Sequence, residues 1–473
     1  MGNSVCSYEA CCCLTRSEER KEETVIEKQV YKSIFDFPSN IPGDQKLKKG
    51  DILEVIEEGD HWVYARRRTV KNGVSEEQVY VPKDFLKPLN SVEAEPWYFE
   101  NISSRTEAKR CLLRPENSDG AFLVWKSKEN NSYYLSVKNE GVARHYRIKE
   151  RESDKCFYLV SRKAFQTLSD LVESYSKNQD GLCARLNLPC VMLDKPTLPS
   201  LSFKDQWEID RSSLTKVKKL GSGEFGEVWH GVWNNMIDVA IKEFRVISPD
   251  IQTEINIMKE LQHKNLIRLY AVCTVDEPFC IITELIKKGS LKKYLIGHKE
   301  LKDIEFSLMM DFAVQITEGM AYLESKNIVH RDLRADNILL TEMLSCKIAD
   351  FGLAQFTISQ DQQLSSVKVP VKWMAPEIFN GKNYTKKCDV WSFGILLTEI
   401  VTYGNDPYPD HNKAACIQAI QRGYRMTRAP ACPQTLYDIM LLCWHSNPDE
   451  RPTFMELQER LMTLIHEPTM VLD

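Results

Sequence analysis

A set of short motifs in fixed order over the second half of the chain constrains it most. The first is LGSGEFGEVWHGV, Leu220 to Val232, lying between strand-like segments. Its glycines Gly221, Gly223 and Gly226 let backbone approach phosphates without a Cβ in the way. Alone, such a G-x-G-x-x-G is as often a turn as a nucleotide site. Sixteen residues past Gly226, however, VAIK ends in Lys242 on a strand-like run, and Glu254 falls on the helical stretch that follows. That pair is suited to holding the α and β phosphates of ATP. Then come IVHRDLRADNILL, IADFG and WMAPE, in that order. Asp332 is the candidate to accept or orient the proton of a substrate hydroxyl, and Asn337 and Asp350 are candidates to ligate Mg²⁺ between the phosphates. His330, Arg331 and Asp332 by themselves would make an ordinary buried polar turn, but the ordered set describes one phosphoryl-transfer site.

These residues resemble those of the protein kinase family, and the resemblance covers about 214 to 466. It implies an α+β bilobal domain. It also implies a nucleotide site drawn from Leu220, Gly221, Ser222, Gly223, Glu224, Phe225, Gly226, Glu227, Val228, Ala240, Lys242 and Leu339, with Thr283 at the gatekeeper position. Glu284 to Ile286 would present backbone groups to adenine, and Glu377 with Arg451 would form a buried ion pair. Arg334, in HRDLRADN, stands where serine/threonine kinases carry Lys two residues after the catalytic Asp, and so is similar to the Src-type tyrosine kinase loop. PVKWMAPE, Pro370 to Glu377, resembles the tyrosine kinase substrate shelf. Asp336 departs from the Ala usual in that loop and is expected to adjust local charge without removing a catalytic group.

A chain of 473 residues is long enough for two to four compact units. Residues 27–90 alternate in short runs such as DILEVIE and HWVYARR between turns, which suits a small all-β barrel. In 97–190, strand-like runs (AFLVWKS, SYYLSV, RHYRIKE, CFYLVS) lie between helical SRTEAKRCLL and TLSDLVESYSK, an α+β pattern. With a kinase domain downstream, these modules resemble SH3 and SH2 domains, and the layout resembles a Src-type non-receptor tyrosine kinase. In the SH3-like module Phe35, Phe37, Trp62, Pro82 and Phe85 are expected to offer apolar ridges, and Asp44 an acidic contact, to Pro-rich segments. His61 replaces a groove Trp, which removes a stacking surface. The Pro-containing linker 191–213 carries its own candidate ligand, KPTLP. In the SH2-like module FLVWKS replaces FLVRES, so Trp125 stands at the position of the phosphate-gripping Arg, and Ser104 at that of its helical helper. A phosphotyrosine needs bidentate, charge-assisted partners and an indole has one N–H, so loss of phosphotyrosine binding is expected.

At the N-terminus, residues 1–26 read as a flexible arm in which Gly2 suits myristoylation and Cys6, in a cluster with Cys11, Cys12 and Cys13, suits palmitoylation. One acyl chain holds a membrane only marginally, so both signals are needed for anchoring at a cytosolic membrane face. A net charge of -5 excludes general attraction to nucleic acid, and no run of about 18 apolar residues spans a membrane. Fifteen cysteines scattered without a secretory signal read as reduced thiols. The activation segment, Asp350 to Glu377, contains no Tyr, nor does the tail 467–473. The segment is therefore expected either to be ordered without phosphate or to be controlled through Ser365, Ser366, Thr357 or Ser359, with SH3 docking on the linker, contacts from Trp207 to the small lobe and membrane recruitment as the other candidates. The expected activity is transfer of the ATP γ-phosphate to protein tyrosine. The rival reading, favoured by the altered modules, is an inactive pseudokinase scaffold.

Overall fold

In a computed structural model, the structure describes residues 29–36, 47–59, 62–69, 73–128, 130–192, 194, 207–223, 226–235, 237–244, 249–275, 277–351, 355–356, 370–381 and 383–465. Strands β1 (Val30–Ser33), β2 (Ile52–Glu58), β3 (Trp62–Thr69), β4 (Gly73–Pro82) and β5 (Leu86–Pro88) form a five-stranded antiparallel sheet in the order β4-β3-β2-β1-β5. The period-2 pattern sets its interior, because Leu53, Val63, Ala65, Val79 and Val81 all face one side and are buried. Glu54, on the opposite face of β2 from Leu53, is also buried, with Arg68 at 3.5 Å.

The next unit begins with α1 (Arg105–Leu112). It continues through β6 (Phe122–Lys126), β7 (Tyr133–Asn139), β8 (Val142–Glu150), β9 (Phe157–Tyr158) and β10 (Ala164–Phe165), which make a second sheet in the order β10-β9-β8-β7-β6, and closes with α2 (Leu168–Lys177). CFYLVS gives only the two residues of β9; Leu159 packs into the module's core and Val160 is buried beyond the ladder.

The small lobe holds β11 (Leu214–Gly223), β12 (Gly226–Trp233), β13 (Ile237–Phe244), α3 (Pro249–Glu260), β14 (Leu269–Cys273) and β15 (Phe279–Glu284), its sheet ordered β11-β12-β13-β15-β14. Val239 and Ile241 turn to the apolar cluster that also contains the barrel's core residues, which leaves Ala240 and Lys242 on the opposite face of β13. Trp207 to Ile209 lie along β14: Ile209 N–H donates to the Val272 carbonyl (3.0 Å) and Val272 N–H to the Trp207 carbonyl (2.7 Å).

The large lobe is mainly helical. It runs α4 (Leu291–Gly297), α5 (Phe306–Ser325), β16 (Ile328–Val329), β17 (Ile338–Leu340), β18 (Cys346–Ile348), β19 (Gln355–Phe356), α6 (Pro376–Phe379), α7 (Lys386–Val401), α8 (Lys413–Gln421), α9 (Gln434–Cys443) and α10 (Phe454–Met462). Helices α5 and α7 are apolar nearly all round and form its core, so the loops they hold are fixed from below. Among the described residues no helix is long and apolar enough to cross a membrane.

Candidate active site

The glycine hairpin is the register end of β11–β12, where Gly223 pairs with Gly226 after irregularities between Lys216 and Lys218 and between Lys219 and Gly221. Gly226 has φ +151°, and a Cβ there would lie 1.7 Å from the Glu243 carbonyl oxygen, so no other residue fits. Ala240 pairs with Thr283 across β13–β15, and Lys242 with Val228 across β12–β13. The Lys242 ammonium donates to Glu254 Oε1 at 2.9 Å and to Asp350 Oδ1 at 3.2 Å. Burial would depress its pKa, but the carboxylates of Glu254 and Asp350 outweigh burial and hold it above the usual lysine range.

Asp389, on α7, builds the catalytic loop from beneath. Its buried carboxylate accepts from His330 N–H (2.7 Å) and Arg331 N–H (2.9 Å), which holds Arg331 at φ +69°. The His330 ring nitrogen Nε2 meets the Ala349 carbonyl at 3.2 Å, and its ring packs 5.3 Å from that of the buried Phe351. Asp350 follows Ala349 at φ +65°, which leaves its carboxylate half-exposed beside Lys242. Asn337 Nδ2 donates to both the carbonyl and Oδ2 of Asp332, at 2.7 and 2.8 Å. Asp332 Oδ1 is buried with no hydrogen-bond partner among the described residues, and burial pushes the carboxyl up to about 6 against the pull of Arg334 and Asn337. Such a group accepts a proton near neutral pH. Arg334 lies 4.4 Å over the Trp373 ring and bonds to the Asp336 carboxylate, so the departure at 336 ties down a neighbouring cation and leaves Asp332 in place.

The orphaned Oδ1 of Asp332 and the hard oxygen donors of Asn337 and Asp350 fit a Mg–nucleotide, and the glycine hairpin fits close backbone approach by phosphate. At the hinge, the Glu284 carboxylate accepts from Arg268 N–H (2.8 Å) and Lys347 Nζ (2.9 Å), its N–H donates to the Arg268 carbonyl (3.1 Å), and its carbonyl accepts from Thr283 Oγ1 (3.2 Å). Ile286 and Leu339 are half-buried against the large-lobe core, and Leu220 is exposed at the cleft mouth. Glu224 and Phe225 lie outside the described residues, as do Thr357, Ser359, Ser365 and Ser366. Glu377 and Arg451 meet in two bonds of 2.7 and 2.8 Å.

In the SH3-like module Phe35 and Phe85 pack edge to face at 5.8 Å, and both, with Pro82, are buried. Phe37, Asp44 and KPTLP lie outside the described residues, as do Gly2 and Cys6 and the side chain of Trp62. In the SH2-like module Trp125 is buried and Ser104 is the N-cap of α1, in a reciprocal capping box with Glu107.

Asp389 and Glu399, which accepts from Ala335 N–H (2.9 Å) and Trp373 Nε1 (3.0 Å), were missed by sequence reasoning. The available signal was an acidic residue inside an otherwise apolar helix, KKCDVWSFGILLTEIV.

The two-lobed fold and this cleft define a protein kinase. The family model described as protein tyrosine and serine/threonine kinase matches residues 214–461, and the chain belongs to that family. The SH2 domain model matches 97–175. Among curated proteins the chain is similar to human tyrosine-protein kinase FRK, 43% identical over 444 residues, which cover 91% of this chain and 87% of that protein.

Proposed function

We propose that the chain is a non-receptor protein tyrosine kinase that uses Mg²⁺ and ATP and works at the cytosolic face of membranes. The observation that carries the catalytic reading is the single constellation of Lys242 paired with Glu254 and Asp350, beside an Asp332 whose Oδ1 has no hydrogen-bond partner among the described residues. A scaffold that had lost catalysis would have no need to keep a buried carboxylate in that state, because an orphaned acceptor costs about 1–3 kcal/mol.

Lys242 holds the α and β phosphates and is itself oriented by Glu254. Asn337 and Asp350 would hold Mg²⁺, which when bound neutralises charge on the β and γ phosphates. Asp332 receives the tyrosine hydroxyl proton at Oδ1 while Asn337 fixes Oδ2. The backbone at Gly221, Gly223 and Gly226 covers the phosphates, and Ala240, Thr283, Ile286 and Leu339 line the adenine side. Gly2 and Cys6 are the proposed acyl acceptors, supported by the Gly2 context and the adjacent thiols. The linker's KPTLP is the proposed ligand of the SH3-like module.

To test the catalytic reading, Lys242→Met and Asp332→Asn are compared with wild type for Mg-dependent transfer from ATP to a tyrosine-containing polymer. Both variants are expected to lose transfer while Asp332→Asn still binds nucleotide; full transfer by either one overturns its assigned role. For anchoring, Gly2→Ala should move the protein from the membrane to the soluble fraction, and unchanged partition would refute acylation at Gly2.

A further inference from the structure

Two cysteines of the small lobe, on the face of its sheet away from Lys242, take no part in phosphate transfer. Among the described cysteines only Cys273 on β14 and Cys280 on β15 are opposed across a ladder, and both are free thiols. Val272 turns its N–H and carbonyl to Trp207 and Ile209, so those of Cys273 turn to β15. Opposed residues that exchange both bonds have Cα atoms about 5.5 Å apart, within the range of about 4.4–6.8 Å that a disulfide spans. The two sulfurs can thus be joined with the strands left in register.

The surroundings divide the pair into a nucleophile and its partner. Glu243 on β13 stands opposite Cys280, and its carboxylate holds Lys216 at 2.6 Å and Arg211 at 3.7 Å. The hydrogen bond with Cys273 and the Arg211 guanidinium favour the Cys280 thiolate and hold its pKa below the ordinary thiol value, against burial and the Glu243 carboxylate. The same contact with Cys280, joined by burial, pushes Cys273 up. Cys273 Sγ donates to the Ile209 carbonyl at 3.4 Å, so the reduced pair also holds the end of the linker. Both cysteines are buried, at 3% and 2% exposure, but the turn just past Cys273 reaches the surface, where Val275 is 77% exposed. Local opening of that hairpin end admits a molecule the size of hydrogen peroxide more readily than a bulky disulfide reagent.

We infer that Cys273 and Cys280 are a modification site, a dithiol that hydrogen peroxide closes to a reversible disulfide beneath the end of the linker. The Cys280 thiolate attacks one peroxide oxygen, the O–O bond breaks, and the departing hydroxide takes up a proton as water, leaving Cys280 as a sulfenic acid. The Cys273 sulfur then attacks the Cys280 sulfur, the S–O bond breaks, and hydroxide leaves as water with the Cys273 proton. Two thiols and one peroxide give one disulfide and two waters; the sulfurs lose two electrons and the peroxide gains them. Closure also removes the S–H that held the Ile209 carbonyl. The inference stands apart from catalysis, because it needs only the reduced pair and its cross-strand register.

The test is peptide mass mapping of the full-length protein, fully reduced and then treated with hydrogen peroxide or, separately, with oxidised glutathione. Peroxide should give a cross-linked pair of peptides carrying Cys273 and Cys280, lighter by two hydrogens than the reduced pair, and dithiothreitol should return both thiols. Cys273→Ser or Cys273→Ala should strand Cys280 as a sulfenic acid that dimedone captures, while Cys280→Ser or Cys280→Ala should leave Cys273 unmodified. In hydrogen exchange the Ile209 amide should open about threefold faster after oxidation, and Cys273→Ala should show the same rise without peroxide. Absence of the cross-link in wild type at a peroxide dose that oxidises free cysteine, or a glutathione adduct in its place, would overturn the site. Ile209 exchange unmoved by oxidation and by Cys273→Ala would overturn its hold on the linker.

Discussion

Replacing Arg451 by Met should destabilise the large lobe far more than a surface substitution. The Arg451 guanidinium is 1% exposed and meets the Glu377 carboxylate in two bonds of 2.7 and 2.8 Å. It also donates to the carbonyls of His445 and Lys387, both at 2.9 Å, and lies 5.2 Å over the Trp391 ring. Arg451→Met leaves a buried carboxylate whose remaining partners among the described residues are its own backbone N–H and the weak donor Cys388 Sγ at 3.4 Å. Breaking a buried pair from one side costs about 3–5 kcal/mol. At about 2–4 °C per kcal/mol for a domain of this size, the Tm of the kinase transition should fall by roughly 10 °C in calorimetry. Glu377→Gln with Arg451→Met removes the stranded charge and should recover more than half of that loss. Although burial raises the Glu377 pKa, its bonds to Arg451 outweigh burial and hold it below the ordinary value. The pair's contribution is therefore present above the unfolded pKa of about 4.3 and is lost as pH falls through the folded value, so the gap between wild type and Arg451→Met should close in acid. A cost under about 1 kcal/mol for the single variant, or a double variant no better than the single, would refute this.

Asp389→Ala removes the acceptor of two buried N–H groups and should lower kcat about 100-fold with little change in the KM for ATP; a fall in nucleotide affinity alone would contradict the positioning role. Because Asp332 must be ionised to take a proton and burial raises it to about 6, kcat/KM should fall tenfold per pH unit below about 6, and a flat profile down to pH 5 would exclude it as the base. Gly226→Ala must push the hairpin off the Glu243 carbonyl and should cut kcat/KM for ATP about 100-fold, whereas near-normal kinetics would mean the hairpin relaxes freely.

The catalytic cleft was legible because phosphoryl transfer needs few residue types in set positions, and Lys242, Glu254, Asp332, Asn337 and Asp350 all carry that signature in their neighbours. The period-2 run likewise pointed to β3, where Val63 and Ala65 are buried on one face, whereas in β2 Glu54 is buried beside Leu53 and Ile56 is exposed. Asp389 and Glu399 were hidden because their partners are backbone N–H groups about 60 residues away, and a helix sequence does not tell which side such a carboxylate meets. The burial of Phe35 and Phe85 was hidden for a related reason, since an aromatic ring suits a groove and a small core equally. Arg110 and Asp311, 201 residues apart, each read as an ordinary charge on an amphipathic helix until the domains are brought together.

The most direct test of a site assembled without phosphotyrosine in the activation segment is the initial rate of phosphate transfer from MgATP to a tyrosine polymer by full-length, phosphatase-treated protein, with Asp332→Asn as baseline. Expected is immediate transfer with no lag, well above that baseline. A rate no higher than that of Asp332→Asn, under conditions where nucleotide binds, would contradict it.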